Sequence, residues 1–421
     1  MSAAVSSLDM SRPGECVDLF YYDGETSKKQ CYPTSVNTKF TQAFSNPNGG
    51  TSVFTISPNS GIQDIVLSFK VAGIATNTGL ALPRGWAYAL IRQISFRYGG
   101  SSQFFLSGDQ VLQNALRTQT SRTSVDDILT LGGNFASSGT TPSLASDQYG
   151  SVVLRLPHTI PSGVGKSHPF PTDLLTQQVQ ITCELNTLAT IMTVNPGGGS
   201  SAVPTGAVSA FFQVQQVVLN NAGDSLARRV DLSTNAYAFP CEFVQNVQRI
   251  PLTGTGTGSQ SIVLTGFRAG ECKAIHCWLT RASEQVFNSA VGVVQPFNWY
   301  LPLAVQMTYA GDVYARFDNA SSPLWNIING NKAPVVDNVL ISAAAPPTAA
   351  ASISQWVELP FAQTMLDEDS HYTLVHGKVI SNGIVNLDIT PPSAQSDWVL
   401  NVSYIYGATL LMSQGTCDYV F

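Results

Sequence analysis

A passage that reads as strand, glycine turn, short strand and helix occurs twice in this chain, over residues 85–117 and again over 296–330. The alternating set Ile94, Phe96, Tyr98 before Gly99-Gly100 returns 211 positions later as Val305, Met307, Tyr309 before Ala310-Gly311. Leu90, Tyr98 and Gly100 meet Leu301, Tyr309 and Gly311 as identities at that spacing. Three identities carry little alone; the shared order of elements at half the length of a 421-residue chain carries more. Repeat periods of about 20–50 residues build solenoids, whereas one of this length marks two whole domains of one kind. A chain this long is also able to bury two separate cores.

The remaining pattern is β. In the first half, alternation predicts strands near 65–71, 87–98, 151–156, 179–185 and 208–215. Val208, Ala210, Phe212 and Val214 face a core there, with Ser209, Gln213 and Gln215 outward. The second half repeats the theme near 243–250, 261–264, 274–280, 305–309, 385–389 and 398–406. One buried and one polar face per strand is the antiparallel signature. Many short strands between Gly/Pro loops argue for sandwiches or barrels and against βαβ units.

One short helix follows the hairpin in each half. Ser107-Gly108-Asp109-Gln110 forms a capping box, in which the Ser107 hydroxyl and the Gln110 side chain cover exposed N–H groups. Val111, Leu112, Ala115 and Leu116 then supply the apolar stripe. In the second half Ser322 caps, Pro323 takes the first helical position, and Leu324, Trp325, Ile327 and Ile328 pack inward before Asn329-Gly330. The resulting division is an arm over 1–45, a first domain over 46–222, a connector over 223–236 and a second domain over 237–421. Long loops at 118–150, 195–206 and 343–351 exceed the ~4–6 residues usual between elements. On a sandwich such loops emerge at the ends, as an exposed crown or a partner-binding surface.

Charge narrows the partners. Charged residues are 11% of the chain against a usual ~25%, with Ser, Thr, Asn, Gln and Gly in their place. Such a surface is cheap to desolvate, which suits burial against neighbouring subunits; a secreted β-protein with a Ser/Thr-rich surface is the alternative reading. A net charge of −6, with Lys28-Lys29 and Arg228-Arg229 as the local basic runs, argues against a broad nucleic-acid face. Residues 1–15 hold no long apolar stretch that would read as a signal peptide, and no run nears the ~20 apolar residues of a membrane span. Seven scattered cysteines, Cys16, Cys31, Cys183, Cys241, Cys272, Cys277 and Cys417, read as buried thiols of a reducing compartment. Asn319 and Asn401 sit in glycan sequons that matter only in a secreted chain.

Local chemistry motifs are incomplete. Gly163-Val164-Gly165-Lys166-Ser167 lacks the upstream glycine of a phosphate loop, since Ile160 stands there, and His168-Pro169 follows in place of a helix. Asp367, Glu368, Asp369 and His371 lack the spacing of a calcium loop and read as a solvated turn. Cys272, His276 and Cys277 lack a second ligand pair, and His276 and Cys277 on one strand face opposite sides. His158, His168, His276, His371 and His376 accompany no nucleophile elbow. Trp86, Tyr88, Phe104, Phe105, Trp299 and Tyr300 could line a sugar-binding strip, but core and subunit packing explain them better. No cofactor, metal or catalytic residue is expected.

The segment from Ile91 to Gln110, with Gly99-Gly100 at the turn and Gly108-Asp109 before the helix, resembles a passage of double jelly-roll major capsid proteins. These belong to tailless icosahedral double-stranded DNA viruses, including nucleocytoplasmic large DNA viruses, virophages and polinton-like viruses. The motif covers some twenty residues, and the duplicated layout extends the likeness to the whole chain. The resemblance implies an all-β chain of two tandem eight-stranded antiparallel jelly rolls, each with a short helix in a loop. It further implies homotrimers forming pseudo-hexagonal capsomers, minor capsid and penton proteins as further partners, a place in the virion after assembly in host cytoplasm or nucleus, and no enzymatic activity. The second copy departs in carrying Ala310 where the first has Gly99. A carbohydrate-binding or carbohydrate-cleaving two-domain sandwich is the competing reading; it requires an exposed aromatic strip or a carboxylate pair in a cleft.

Overall fold

The computed structural model describes residues 35–58, 61–73, 80–98, 103–117, 122–137, 143–154, 170–172, 175–194, 208–219, 236–254, 258–284, 297, 299–300, 302–318, 356–361, 378–380, 384–394 and 396–421. The first roll opens with β1 (Ser35–Ala43), β2 (Thr51–Ile56), β3 (Gly61–Val71) and β4 (Leu80–Leu82). A helical turn α1 (Trp86–Leu90) leads into β5 (Ile91–Tyr98), β6 (Gln103–Ser107), α2 (Gly108–Arg117) and α3 (Arg122–Leu131). It closes with β7 (Ala136–Ser137), β8 (Gln148–Leu154), β9 (Phe170–Pro171), β10 (Val179–Leu185), α4 (Leu188–Ile191), β11 (Thr193–Val194) and β12 (Val208–Leu219). One sheet runs β1-β12-β3-β8 and the facing sheet β2-β10-β5-β6, all antiparallel. That strand order is the jelly roll.

The second roll repeats it. Its strands are β13 (Tyr237–Val244), β14 (Gln248–Pro251), β15 (Gln260–Leu264), β16 (Glu271–Arg281), β17 (Ala304–Tyr309), β18 (Asp312–Asp318), β19 (Val357–Pro360), β20 (Lys378–Val379), β21 (Val385–Thr390), β22 (Trp398–Ser413) and β23 (Thr416–Val420). One sheet runs β13-β22-β16-β19 and the other β15-β21-β17-β18, the same order with the same partners. The duplication reaches the register. β3 and β16 are both 11 residues long and lie 210 positions apart. In each, one extra residue bulges out of the pairing with the roll's last long strand: Gln63 in β3 and Lys273 in β16, again 210 apart. A bulge kept at one ladder position in both copies is a designed kink. Each roll packs its apolar faces inward, and the buried side chains of both rolls form one continuous cluster from Phe44 to Cys417.

Four expectations needed adjustment. Ser35–Ala43, read as part of the arm, is a full member of the first sheet and pairs along its length with β12. The expected strand over 87–98 begins with α1, whose five side chains are all buried. Gly85 enters it at φ 75°, and Asn186 Nδ2 donates to the Ala89 carbonyl at 2.8 Å, so a helical turn hides both faces where a strand would expose one. The long loop over 118–150 contains α3, which ends where Gly132 N donates to Ile128 O at 2.9 Å and Gly133 takes φ 110°. The strand expected over 243–250 breaks at Gln245–Val247, and the freed Gln245 carbonyl turns toward the first roll.

The second-copy turn keeps the geometry of a glycine pair without the pair. Ala310 and Gly311 both have positive φ, 52° and 93°, as a two-residue hairpin between β17 and β18 demands. Residues 1–34 of the expected arm, the second helix after Ser322 and the turn Gly99-Gly100 lie outside the described residues. Among the described residues, no helix is long and apolar enough to cross a membrane.

Candidate functional site at the seam between the rolls

The capping box at the start of α2 forms as expected and then does something further. Gln110 N donates to Ser107 Oγ at 3.3 Å, and Ser107 N donates to Gln110 Oε1 at 3.0 Å. The amide nitrogen left over, Gln110 Nε2, crosses to the second roll. There it donates to Gln245 O at 2.7 Å and to Ser403 Oγ at 2.9 Å, while Ser403 Oγ donates to Gln245 O at 2.8 Å. Gln110 is 1% exposed and Ser403 0%, so this triangle is shielded from water and each bond counts.

Gly108 makes the approach possible. A Cβ on it would lie 2.4 Å from the carbonyl oxygens of both Tyr88 and Ile91, which is too close for any side chain. Asp109, the next residue, stands in the first turn of α2, where the helix dipole favours a carboxylate. Burial nonetheless pushes its carboxyl up to about 6, with the Arg249 charge and the Trp299 indole offsetting part of that. Asp109 and Arg249 both line a cavity of about 370 Å³ between the rolls, with Arg92 and Asn186 on one side and Asn246 and Phe297 on the other. Of the four motif residues, Gly108 and Asp109 therefore meet at the seam, and Gly99 and Gly100 lie outside the described residues.

An aromatic contact seals the other end of the seam. Phe104 of β6 meets Phe243 of β13 edge to face at 5.4 Å, and Tyr419 of β23 stands 5.2 Å from Phe243. Burial raises the hydroxyls of Tyr98 and Tyr419 well above the ordinary tyrosine range. The tip of the β22–β23 hairpin docks as well: Gly415, at φ 78°, accepts from Thr176 N at 2.9 Å and from Thr176 Oγ1 at 3.2 Å.

The surface that α2 meets is the outer face of the second roll's larger sheet, and it is unusually dry. His276 Nε2 lies 3.0 Å from Glu358 Oε2, and Lys273 Nζ lies 3.1 Å from Glu242 Oε1, with all four residues at most 2% exposed. Trp299 packs at 5.9 Å from Trp356 and 6.2 Å from Trp278. Asn401 Nδ2 donates to Thr280 Oγ1 at 3.0 Å and is buried, so this sequon offers no accessible glycan acceptor. No sequence signal marked these pairs, because a charge on a strand reads as surface until the covering element is known.

Among the described residues no group of three or more His, Cys, Asp or Glu side chains lies together. His276 and the five described cysteines are buried, none of the five is in a disulfide, and burial pushes the Cys241 and Cys277 thiols up to about 12. The aromatic strip does not form a platform, since Trp86, Phe104 and Trp299 are at most 1% exposed. The lysine-containing glycine segment at 163–167 and the acidic turn at 367–371 lie outside the described residues. What the seam does physically is lock two rolls into one body through buried polar bonds and aromatic contacts.

Solved structures share this architecture. The PBCV-1 virus capsid chain superposes with a TM-score of 0.63 at 11% identity, covering 93% of this chain and 98% of that one. A chain of the Sputnik virophage matches with a TM-score of 0.58 at 9% identity, covering 92% of this chain and 88% of that one. The mavirus major capsid protein matches with a TM-score of 0.52 at 11% identity, covering 93% and 90%. No family model and no curated protein sequence matches the chain. At such identities the likeness is one of fold, and the fold is the double jelly roll.

Proposed function

We propose that this chain is a major capsid protein, the repeated shell subunit of an icosahedral double-stranded DNA virus. In this reading three copies form a capsomer with a pseudo-hexagonal outline, and capsomers tile the shell through lateral polar contacts. The observation that carries it is the duplicated roll with matching register and bulge, fixed by a buried seam. Three copies of a doubled domain present six similar edges, which a single-domain trimer cannot. Structural likeness over about nine-tenths of the chain to the PBCV-1 capsid chain supports the same reading.

The functional units are a first roll that ends near 222, a connector over 223–236 and a second roll over 237–421, with the Gly108-Asp109 turn as the family-type element that joins them. No catalysis, cofactor or sequence-specific nucleic-acid contact is part of this role. Minor capsid and penton proteins complete the shell, the virion is the place of action, and assembly takes place in host cytoplasm or nucleus. The few charged residues, 11% of the chain, keep like-charge repulsion between neighbours small, so that many weak contacts add.

The test is the mass and outline of the purified protein. Light scattering is expected to give three times 44.9 kDa, and negative-stain images three-fold particles with six-sided outlines. A monomer at high concentration would contradict the proposal. Micromolar glycan binding by that monomer would favour the carbohydrate reading.

A further inference from the structure

Two irregularities of strand pairing, one in each roll, face the same cavity. In the first roll Gln93 pairs with Glu184 and Ile91 with Leu185, so Arg92 is an extra residue bulged out of the β5–β10 ladder. In the second roll Val244 pairs with Ile405 and Gln248 with Val402, so residues 245–247 span a stretch that only Ser403 and Tyr404 fill on β22. Neither irregularity has a counterpart in the other roll. The matching first-roll strand, β1, runs unbroken along β12, and the second-roll ladder equivalent to β5–β10 ends at Ala304 opposite Thr390. Bulges re-aim side chains and concentrate beside functional sites. These two deliver residues to the cavity of about 370 Å³ at the seam: Arg92 from one roll, and Asn246, Val247 and nearby Arg249 from the other.

We infer that this cavity binds a small multivalent oxyanion, of which inorganic phosphate is the simplest, between Arg92 of the first roll and Arg249 of the second. The inference does not depend on the capsomer reading, since the cavity lies within one chain. Charge favours an anion: the described residues around the cavity carry two guanidinium groups against one carboxylate, Asp109. Arg92 makes no hydrogen bond or ion pair among the described residues, and Arg249 is engaged only by the charge of Asp109. A planar guanidinium offers paired donors to phosphate oxygens.

The rest of the wall is suited to the same guest. The ten-residue helix α2 starts there, at Ser107, Gly108 and Asp109, and its N-terminal end adds partial positive charge. Asn246 spends its side-chain oxygen on Val247 N at 2.9 Å, which leaves its amide N–H groups for a guest. The volume equals about a dozen waters at ~30 Å³ each, room for a tetrahedral oxyanion with part of its hydration. A guest held by arginines of both rolls would add to the Gln110 triangle in fixing them together. The same chemistry is offered by a free ion and by the phosphate of an ester.

The experiment titrates the full-length protein with sodium phosphate at neutral pH and constant ionic strength, reading the heat of binding and the thermal midpoint. One saturable site per chain is expected, with a midpoint that rises with phosphate, because a guest that binds only the folded chain stabilises it. Arg92→Gln and Arg249→Gln are each expected to weaken binding about tenfold, the loss of one charged hydrogen-bonding partner. Asp109→Asn, which removes the opposing charge, is expected to tighten it. Without phosphate, Arg92→Gln should unfold at the wild-type midpoint, since its side chain is exposed, so lost binding is not lost folding. Glycerol 3-phosphate separates the two sources: tighter binding of the ester assigns the site to a phosphomonoester, and tighter binding of phosphate to the free ion. Absence of saturable binding by either would overturn the inference, as would binding that neither arginine substitution weakens.

Discussion

Gln110 and Ser403 stand 293 positions apart in the chain, yet Gln110 Nε2 donates to Ser403 Oγ at 2.9 Å, with both side chains buried. One side chain therefore caps a helix in the first roll and ties that helix to a strand of the second. Replacing it by alanine removes the cap and two inter-roll bonds and leaves Gln245 O with fewer donors. Gln110→Ala is expected to lower stability by about 1–3 kcal/mol, read as a shift of the unfolding midpoint in urea. An unchanged midpoint would show that the triangle contributes nothing.

Gly108 allows no side chain. Its Cβ would fall 2.4 Å from two carbonyl oxygens, and backbone is the hardest thing to move. Gly108→Ala is expected to cost roughly 3 kcal/mol, the upper end of ordinary overpacking, despite the better helix propensity of alanine. Thermal unfolding measures it, and a neutral or stabilising effect would contradict the close approach.

Asp109 gives the seam a pH dependence of definite sign. Its carboxyl is raised by burial to about 6 in the fold, against 3.8 for the free group, despite Arg249. Between those values the folded state holds the proton more tightly than the unfolded state. Stability from this group is therefore highest below about 4, falls as pH rises through about 4–6, and is level above. Asp109→Asn should remove that slope, so the stability difference between Asn and wild type grows from pH 4 to pH 6.5. A difference that stays constant across this range would refute it.

The buried pair Lys273–Glu242 should be costly to break and cheap to replace. Lys273→Met removes the cationic partner of a carboxylate that has no exposure, at an expected cost of roughly 3–5 kcal/mol. Adding Glu242→Leu should recover most of that loss. Equilibrium unfolding of the two single variants and the double variant reads the coupling, and additive losses would show that the two charges do not depend on one another.

Ala310 holds a conformation that glycine adopts freely, with φ 52° and Gly311 following at 93°. Ala310→Gly, which restores the glycine pair of the first copy, should relieve about 1 kcal/mol of backbone strain. Part of that gain returns as unfolded-state entropy. A midpoint equal to or slightly above wild type is the expected result, whereas Ala310→Val should lower it clearly.

Strand positions were legible wherever one face meets the core and the other meets water. β10 shows this well: Val179, Ile181, Cys183 and Leu185 are buried, while Gln180 is exposed and Thr182 and Glu184 are only partly covered. β16 shows the limit, because Lys273, His276 and Thr280 are as buried as Ile275 and Leu279. Its two faces are both covered, and only one of them by its own roll. α1 escapes the pattern for a similar reason: Trp86, Tyr88 and Leu90 alternate like a strand, but a left-handed turn at Gly85 and Asn186 from across the roll wind them into a helix. α3 was legible in principle, since Val125, Ile128 and Leu129 precede Gly132-Gly133 at helical spacing.

Periodicity, turn glycines and the echo at half-length were enough to establish two β-sandwiches of one kind, because those signals come from contacts within a strand or to its neighbours. Which face of each sandwich would be dry came only from the folded whole. Burial of Asn401 and Glu358, and exposure of Phe211 and Val153 at the matching places, depend on what lies beyond the sheet. That is set by how the rolls pack, through side chains hundreds of positions apart, and no local pattern encodes it.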